Sequence, residues 1–273
     1  MSATTDRTTT HRPAGDRSAT GRTVRRPAPG GLNRTFLRIE VRRLLRNRRT
    51  VLFSLVMPPV FFLIFGTQQG YRTQSVGNGN VTAWIMVSMA VYGAMLATTS
   101  GGAMVSVERS LGWSRQLRLT PLSPVAYIVT KILVAMVLGL ASVVVVFAVG
   151  LVSHAHADVS VWVATGLLAW LGSSVFAAFG LFMGYLLPAE NVMQVLGPVL
   201  AILAFAGGLF VPLSDGLFAT IAKFTPLYGL AELARTPLTG DGWSWVAVAN
   251  LAAWAAVFVT GAAVLFRRDT ARV

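Results

Sequence analysis

Six long apolar stretches, at approximately 51–69, 81–106, 125–152, 161–187, 192–213 and 243–266, alternate along the chain with short polar intervals. Crossing about 30 Å of hydrocarbon as a helix takes about 20 residues, so the pattern predicts six transmembrane helices. The stretches at 81–106 and 125–152 exceed that minimum, and tilt or helical extension beyond the bilayer is expected for them. Ahead of the first stretch, Leu37, Val41, Leu44 and Leu45 recur at helical spacing while Arg34, Arg38, Arg42 and Arg46 form a second row. That two-faced pattern predicts an amphipathic helix lying flat on a membrane surface. Met57-Pro58-Pro59 interrupts the first stretch and predicts a kink, its released carbonyls met by neighbouring helices or Ser54. Residues 215–237 are too polar and too short for two spans, yet apolar enough to dip into a membrane against protein.

Composition agrees with a membrane solvent, because 54% hydrophobic residues, 12% charged residues and a mean hydropathy of +0.64 exceed what a soluble core requires. The charge is distributed unevenly. Thirteen arginines lie between Arg7 and Arg49, followed by Arg109, Arg115, Arg118, Lys131, Arg267, Arg268 and Arg272 on the same predicted side. Arg72, Lys223 and Arg235 fall on the other. Basic loops stay cytoplasmic, so both termini are expected inside a bacterial plasma membrane. The +13 net charge is then mostly topological and not a nucleic-acid footprint, since residues 1–30 lack aromatics and helical apolar periodicity and read as a disordered basic tail. No apolar signal region precedes residue 50, and zero cysteines remove disulfides and thiol chemistry. The expected organisation is a tail at 1–30 and one all-α membrane domain at 31–273.

The interval Glu108 to Pro124 reads E-R-S-L-G-W-S-R-Q-L-R-L-T-P-L-S-P. Orientation requires charge on such a loop but not a Gly-punctuated turn followed by Thr-Pro-Leu-Ser-Pro. The segment resembles the coupling helix of ABC-2 type transporter permeases, which rests on a partner ATPase. The matching positions are Glu108, Arg109, Gly112, Leu117, Thr120, Pro121, Leu122, Ser123 and Pro124; Trp113 and Ser114 stand where many relatives carry Thr and an acidic residue. The resemblance implies polar contacts from Glu108 and Arg109, close approach at Gly112, apolar anchors at Trp113 and Leu117, and an end to the element near Thr120 and Pro121. It also implies that residues 33–49 form an elbow helix. Residues 207–228 likewise resemble the short re-entrant helices with an Asn-Pro or Thr-Pro break at the exterior mouth of such exporters. Phe210, Pro212, Phe224, Pro226 and Tyr228 are the gate candidates this implies.

Absent motifs narrow the function further. No phosphate-cradling G-x-x-x-x-G-K-[ST] occurs, so ATP and Mg²⁺ are expected on a separate nucleotide-binding subunit, and no cofactor, metal or catalytic residue is assigned to this chain. No Asp, Glu or His lies inside a proposed span, which weighs against coupling to an ion gradient. His154-Ala-His156-Ala-Asp158 has no second ligand cluster and reads as a solvated loop. Ser173 and Ser174 lack a catalytic base and are expected to bond to helix backbone. The implied partners are the ATPase, a second copy of this or a related permease, membrane lipid and an amphiphilic small molecule such as a drug or antibiotic. A lipid or glycan exporter subunit, a membrane sensor or scaffold, and a gradient-driven carrier are the alternatives.

Overall fold

The computed structural model describes residues 34–112, 124–210 and 216–271. Asn47 divides the first two helices, α1 (Arg34–Arg46) and α2 (Arg48–Gly66). Its side chain accepts from the Thr50 N–H at 3.4 Å, meeting one donor that a helix start leaves unpaired. Helix α1 does have two faces: Leu44 is buried, with Leu37 and Val41 packed beside it on Val134 and Leu138, whereas Arg38 and Arg42 are exposed.

Pro58 and Pro59 both stand within continuous α2. Pro58 has no N–H for the carbonyl of Ser54 four residues earlier, and Ser142 supplies the missing donor through Oγ at 2.9 Å. A short helix, α3 (Gln69–Thr73), and a hairpin of β1 (Ser75–Val76) and β2 (Gly79–Asn80) follow. Asn80 joins three pieces here. Its Oδ1 accepts from Ala83 N–H at the start of α4 (Val81–Ala103), while its Nδ2 donates to the carbonyls of Arg72 and His154. The 154–157 loop thus pins the hairpin through its backbone, with the His154 and His156 side chains exposed. No group of three His, Asp or Glu converges among the described residues.

The chain continues through α5 (Val105–Ser110), α6 (Pro124–Val152), α7 (Val159–Gly172), α8 (Ser174–Leu186), α9 (Ala189–Ala206), α10 (Leu217–Ala222), α11 (Pro226–Thr239) and α12 (Trp245–Ala271). Helix α4 is the centre. It packs on α2, α6 and α8 and buries residues around its whole circumference, as an all-round apolar helix must. By contrast α6, α9 and α12 leave Val144, Leu151, Ile202, Val257 and Val259 exposed, the outward face expected toward lipid.

Five helical stretches among the described residues are long and apolar enough to cross a membrane: Val81–Ser110, Ala126–Val152, Val159–Leu186, Ala189–Ala206 and Trp245–Asp269. The first predicted span corresponds to a shorter apolar helix, Thr50–Gly66. Two breaks were not visible in the apolar pattern, one at Met104 and one at Ser173. Ser173 Oγ donates to the Trp170 carbonyl at 2.6 Å, the backbone role expected of it.

The end of α9 follows from its glycines. Gly208 takes φ 71°, a left-handed conformation that costs glycine little. Leu209 N–H then donates to Ala204 and Gly208 N–H to Phe205, the paired pattern of a Schellman cap. Beyond it, the segment expected to re-enter forms α10 and α11, with Pro226 at the first turn of α11. Helix α11 is largely buried against α7, α12 and α4. Asn250 of α12 holds the break between them, donating to the carbonyls of Lys223 and Thr225 and accepting from Gly229 N–H.

Candidate functional site

Two places in the bundle carry polar chemistry, one at each end. At the end bearing residues 108–124, α5 extends the second predicted span to Ser110, four residues beyond its expected limit. Glu108 thereby falls inside a candidate span and is only 2% exposed. The expectation that no carboxylate enters a span is corrected by this extension. Lys131, 3% exposed on α6, meets both Glu108 and Glu40 of α1; Glu40 is itself buried. Arg43 donates to Glu108 Oε1 at 3.0 Å, and Tyr127 donates its hydroxyl to Oε2. Two carboxylates and two cations from three elements therefore neutralise one another, with Glu40, Glu108 and Lys131 buried and Arg43 partly solvated, and such pairing is the condition under which buried charge is tolerated.

Arg109 points a different way. Nε and Nη2 donate to Asp269 Oδ1 at 3.1 and 2.7 Å, and Nη1 donates to the carbonyls of Gly184 and Tyr185 at 3.2 and 2.9 Å. Those carbonyls lie in the last turn of α8, where no intrahelical donor is available. The guanidinium also lies 5.5 Å from the centre of the Tyr185 ring. Asp269 would be unfavourable near the C-terminus of α12 without this cation.

The Glu108 and Arg109 side chains are thus engaged with residues of this chain. Gly112 takes φ 72°, and no atom of the described residues lies within 4 Å of a would-be Cβ. Beside it runs a cleft of about 730 Å³ lined by Ser106, Arg109, Pro188, Glu190 and Asp269 among others. Trp113, Leu117, Thr120 and Pro121 lie outside the described residues.

At the hairpin end, α2, α3, α4 and α9 enclose a cavity of about 930 Å³. Phe61, Phe65, Trp84, Tyr92, Phe205 and Phe210 dominate its wall, Gln68 and Gln74 add polarity, and none of its described lining residues is charged. Phe210 stacks at 5.4 Å from Tyr92 and 4.8 Å from Phe205. Of the gate candidates, Phe210 alone lines this space. Phe224 is 74% exposed and faces a separate shallow depression with Trp254, Pro226 is buried, Tyr228 is half-buried, and Pro212 lies outside the described residues.

Arg235 is the residue the charge count missed. Assigned to an external loop, it is 8% exposed on α11, its guanidinium 4.0 Å over the Trp84 ring. A single Arg flanked by Leu and Ala at helical spacing was the available signal. Asn250, a lone amide in the last apolar stretch, was another.

The described residues form a polytopic helical bundle with a charged joint at one end and an aromatic cavity at the other. Residues 32–238 match the family described as ABC-2 type transporter, and the chain belongs to it. It is also similar to a Bacillus subtilis (strain 168) protein named "Putative transport permease YvfS", at 29% identity over 234 residues, covering 81% of this chain and 91% of that one.

Proposed function

We propose that the chain is the transmembrane subunit of an ATP-driven exporter of amphiphilic small molecules, drugs or antibiotics among them. Family membership supports the permease role, and the uncharged aromatic cavity is the observation that carries the substrate class, since such walls bind apolar bodies while a few polar groups orient them. ATP and Mg²⁺ belong to a nucleotide-binding partner, and a second copy of this or a related permease completes the assembly. Residues 108–123 rest on the ATPase. Arg109 and Glu108, at the inner edge of that segment, pass its movement to α8, α12, α6 and α1. In this arrangement α2 is the first of six spans, α1 is an elbow helix on the inner leaflet, and residues 1–30 form a cytoplasmic tail.

Reconstitution tests the energy source. With the ATPase that copurifies with it, the permease is expected to move an amphiphilic dye on addition of Mg-ATP with no ion gradient. A second reading, a gradient-driven carrier, draws on Glu108, a carboxylate inside a candidate span that Lys131 joins to Glu40 of α1. Transport that continues without ATP but collapses with an ionophore would establish that carrier instead, with Lys131 and Glu190 the first places to seek the ion.

Orientation has its own check. The chain has no native cysteine, and Ser75 and Ser110 are exposed at opposite ends of the described bundle. Ser75→Cys should react with an impermeant thiol reagent in intact cells, and Ser110→Cys only after permeabilisation. Labelling of position 110 from outside reverses the topology.

A further inference from the structure

We infer that Arg235 makes the aromatic cavity selective for neutral and anionic amphiphiles over cationic ones. This deepens the proposed exporter function and rests on it.

The described hydrogen-bond partners of Arg235 are all neutral, and the Glu232 carboxylate attracts it only through space. Nε and Nη2 donate to Ser88 Oγ at 3.1 and 2.7 Å, and Nη2 donates to the carbonyls of Gly208 and Leu209 at 2.9 and 3.3 Å. Among the described residues no carboxylate comes within ion-pair distance. Glu232, one turn earlier on α11, is half-buried and forms no salt bridge with it. A guanidinium held this way keeps its full charge in a poorly screened place, and burial of such a charge is costly enough that a merely structural site gains little from it.

The charge sits behind the cavity wall. One face of Trp84 receives Arg235, and Trp84, Leu209 and Phe210 are themselves lining residues. A cation–π contact on one face draws indole electron density toward the guanidinium, leaving less for a ligand cation on the other. The bare Coulomb field acts in the same direction, because a ligand stacked on Trp84 would lie about 7–8 Å from the charge with only low-dielectric material between. Among the described residues no acidic side chain lines the cavity to offset it. Aromatic boxes that trap cations work by the opposite arrangement, with open π faces and no competing cation.

The test uses two anthracene probes identical except for a sulfonate on one and a trimethylammonium on the other. Their binding to the full chain in a neutral maltoside detergent is read by fluorescence anisotropy. Wild type is expected to favour the sulfonate by about tenfold or more. Arg235→Gln should bring that ratio close to one. Arg235→Lys should retain most of it, because charge and not planarity sets the preference. Ser88→Asp, which places a carboxylate against the guanidinium, provides a second neutralisation should Arg235→Gln not fold. A purely structural Arg235 would instead weaken both probes equally and leave the ratio intact. Equal affinities in wild type, no binding of either probe, or an unchanged ratio in Arg235→Gln or Ser88→Asp overturns the assignment. Because binding is read without ATP or partner, that failure would leave ATP-driven transport standing, and loss of ATP dependence would leave the binding preference untouched.

Discussion

Lys131→Met is expected to destabilise the folded permease by about 3–5 kcal/mol, because it leaves two buried carboxylates facing each other with too little positive charge between them. Glu40 and Glu108 both depend on the Lys131 ammonium, and Arg43, the remaining cation, has a side chain that is partly solvated. The loss should appear as a large drop in melting temperature in detergent and as poor monodispersity. Glu108→Gln combined with Lys131→Met should recover much of the stability, since no unpaired ammonium or Glu108 carboxylate then remains. Transport should not recover in parallel. The double variant keeps the bundle but loses the ionic tie between α1, α5 and α6, and the movement of residues 108–123 would reach α1 and α2 less faithfully. A Lys131→Met protein that melts with wild type would show that water already screens the cluster.

That cluster also marks how far the sequence could be read. Helix-forming apolar runs were plain, because in a membrane nearly every core and lipid-facing position is hydrophobic. For the same reason the breaks at Met104 and Ser173 were concealed, as the residues on either side are apolar and nothing in composition changes there. Glu108 stood in a charged interval and read as a surface residue. Its partners Lys131 and Arg43 are 23 and 65 positions away, a pairing that α4 packing on α6, and α1 packing on α6, creates. Arg235 was counted for orientation alone, although the segment that carries it was expected to dip into the membrane against protein. Helix α11 is buried because Leu227, Leu230, Ala231, Ala234 and Leu238 give it an apolar stripe, and Arg235 is carried inward beside that stripe.

Glycine at position 180 should tolerate no side chain, and Gly180→Ala is expected to disrupt the bundle at or above the upper end of the about 1–3 kcal/mol usual for overpacking. A Cβ there would fall 2.1 Å from the Thr99 carbonyl oxygen, and one at Gly102 would fall 2.4 Å from that of Ala177. Both obstacles are backbone, so no rotamer change relieves them and α4 must move away from α8. The Gly180-x-x-x-Gly184 spacing signalled such an approach in sequence, and Gly184 is also close to α4, with a Cβ 3.1 Å from the Ala103 carbonyl oxygen. Displacing α4 has consequences at both ends, since it carries Trp84 and Tyr92 into the aromatic cavity and leads through α5 to Glu108 and Arg109. Gly70 of α3 is the control, because among the described residues nothing lies within 4 Å of its would-be Cβ. Gly70→Ala should leave the melting temperature unchanged or raise it, in line with the helix preference of about 1 kcal/mol for Ala over Gly. Thermal unfolding of the two variants in the same detergent separates local packing from a general effect of adding methyl groups. If Gly180→Ala unfolds at the wild-type temperature, the backbone contact between α4 and α8 is looser than these distances require.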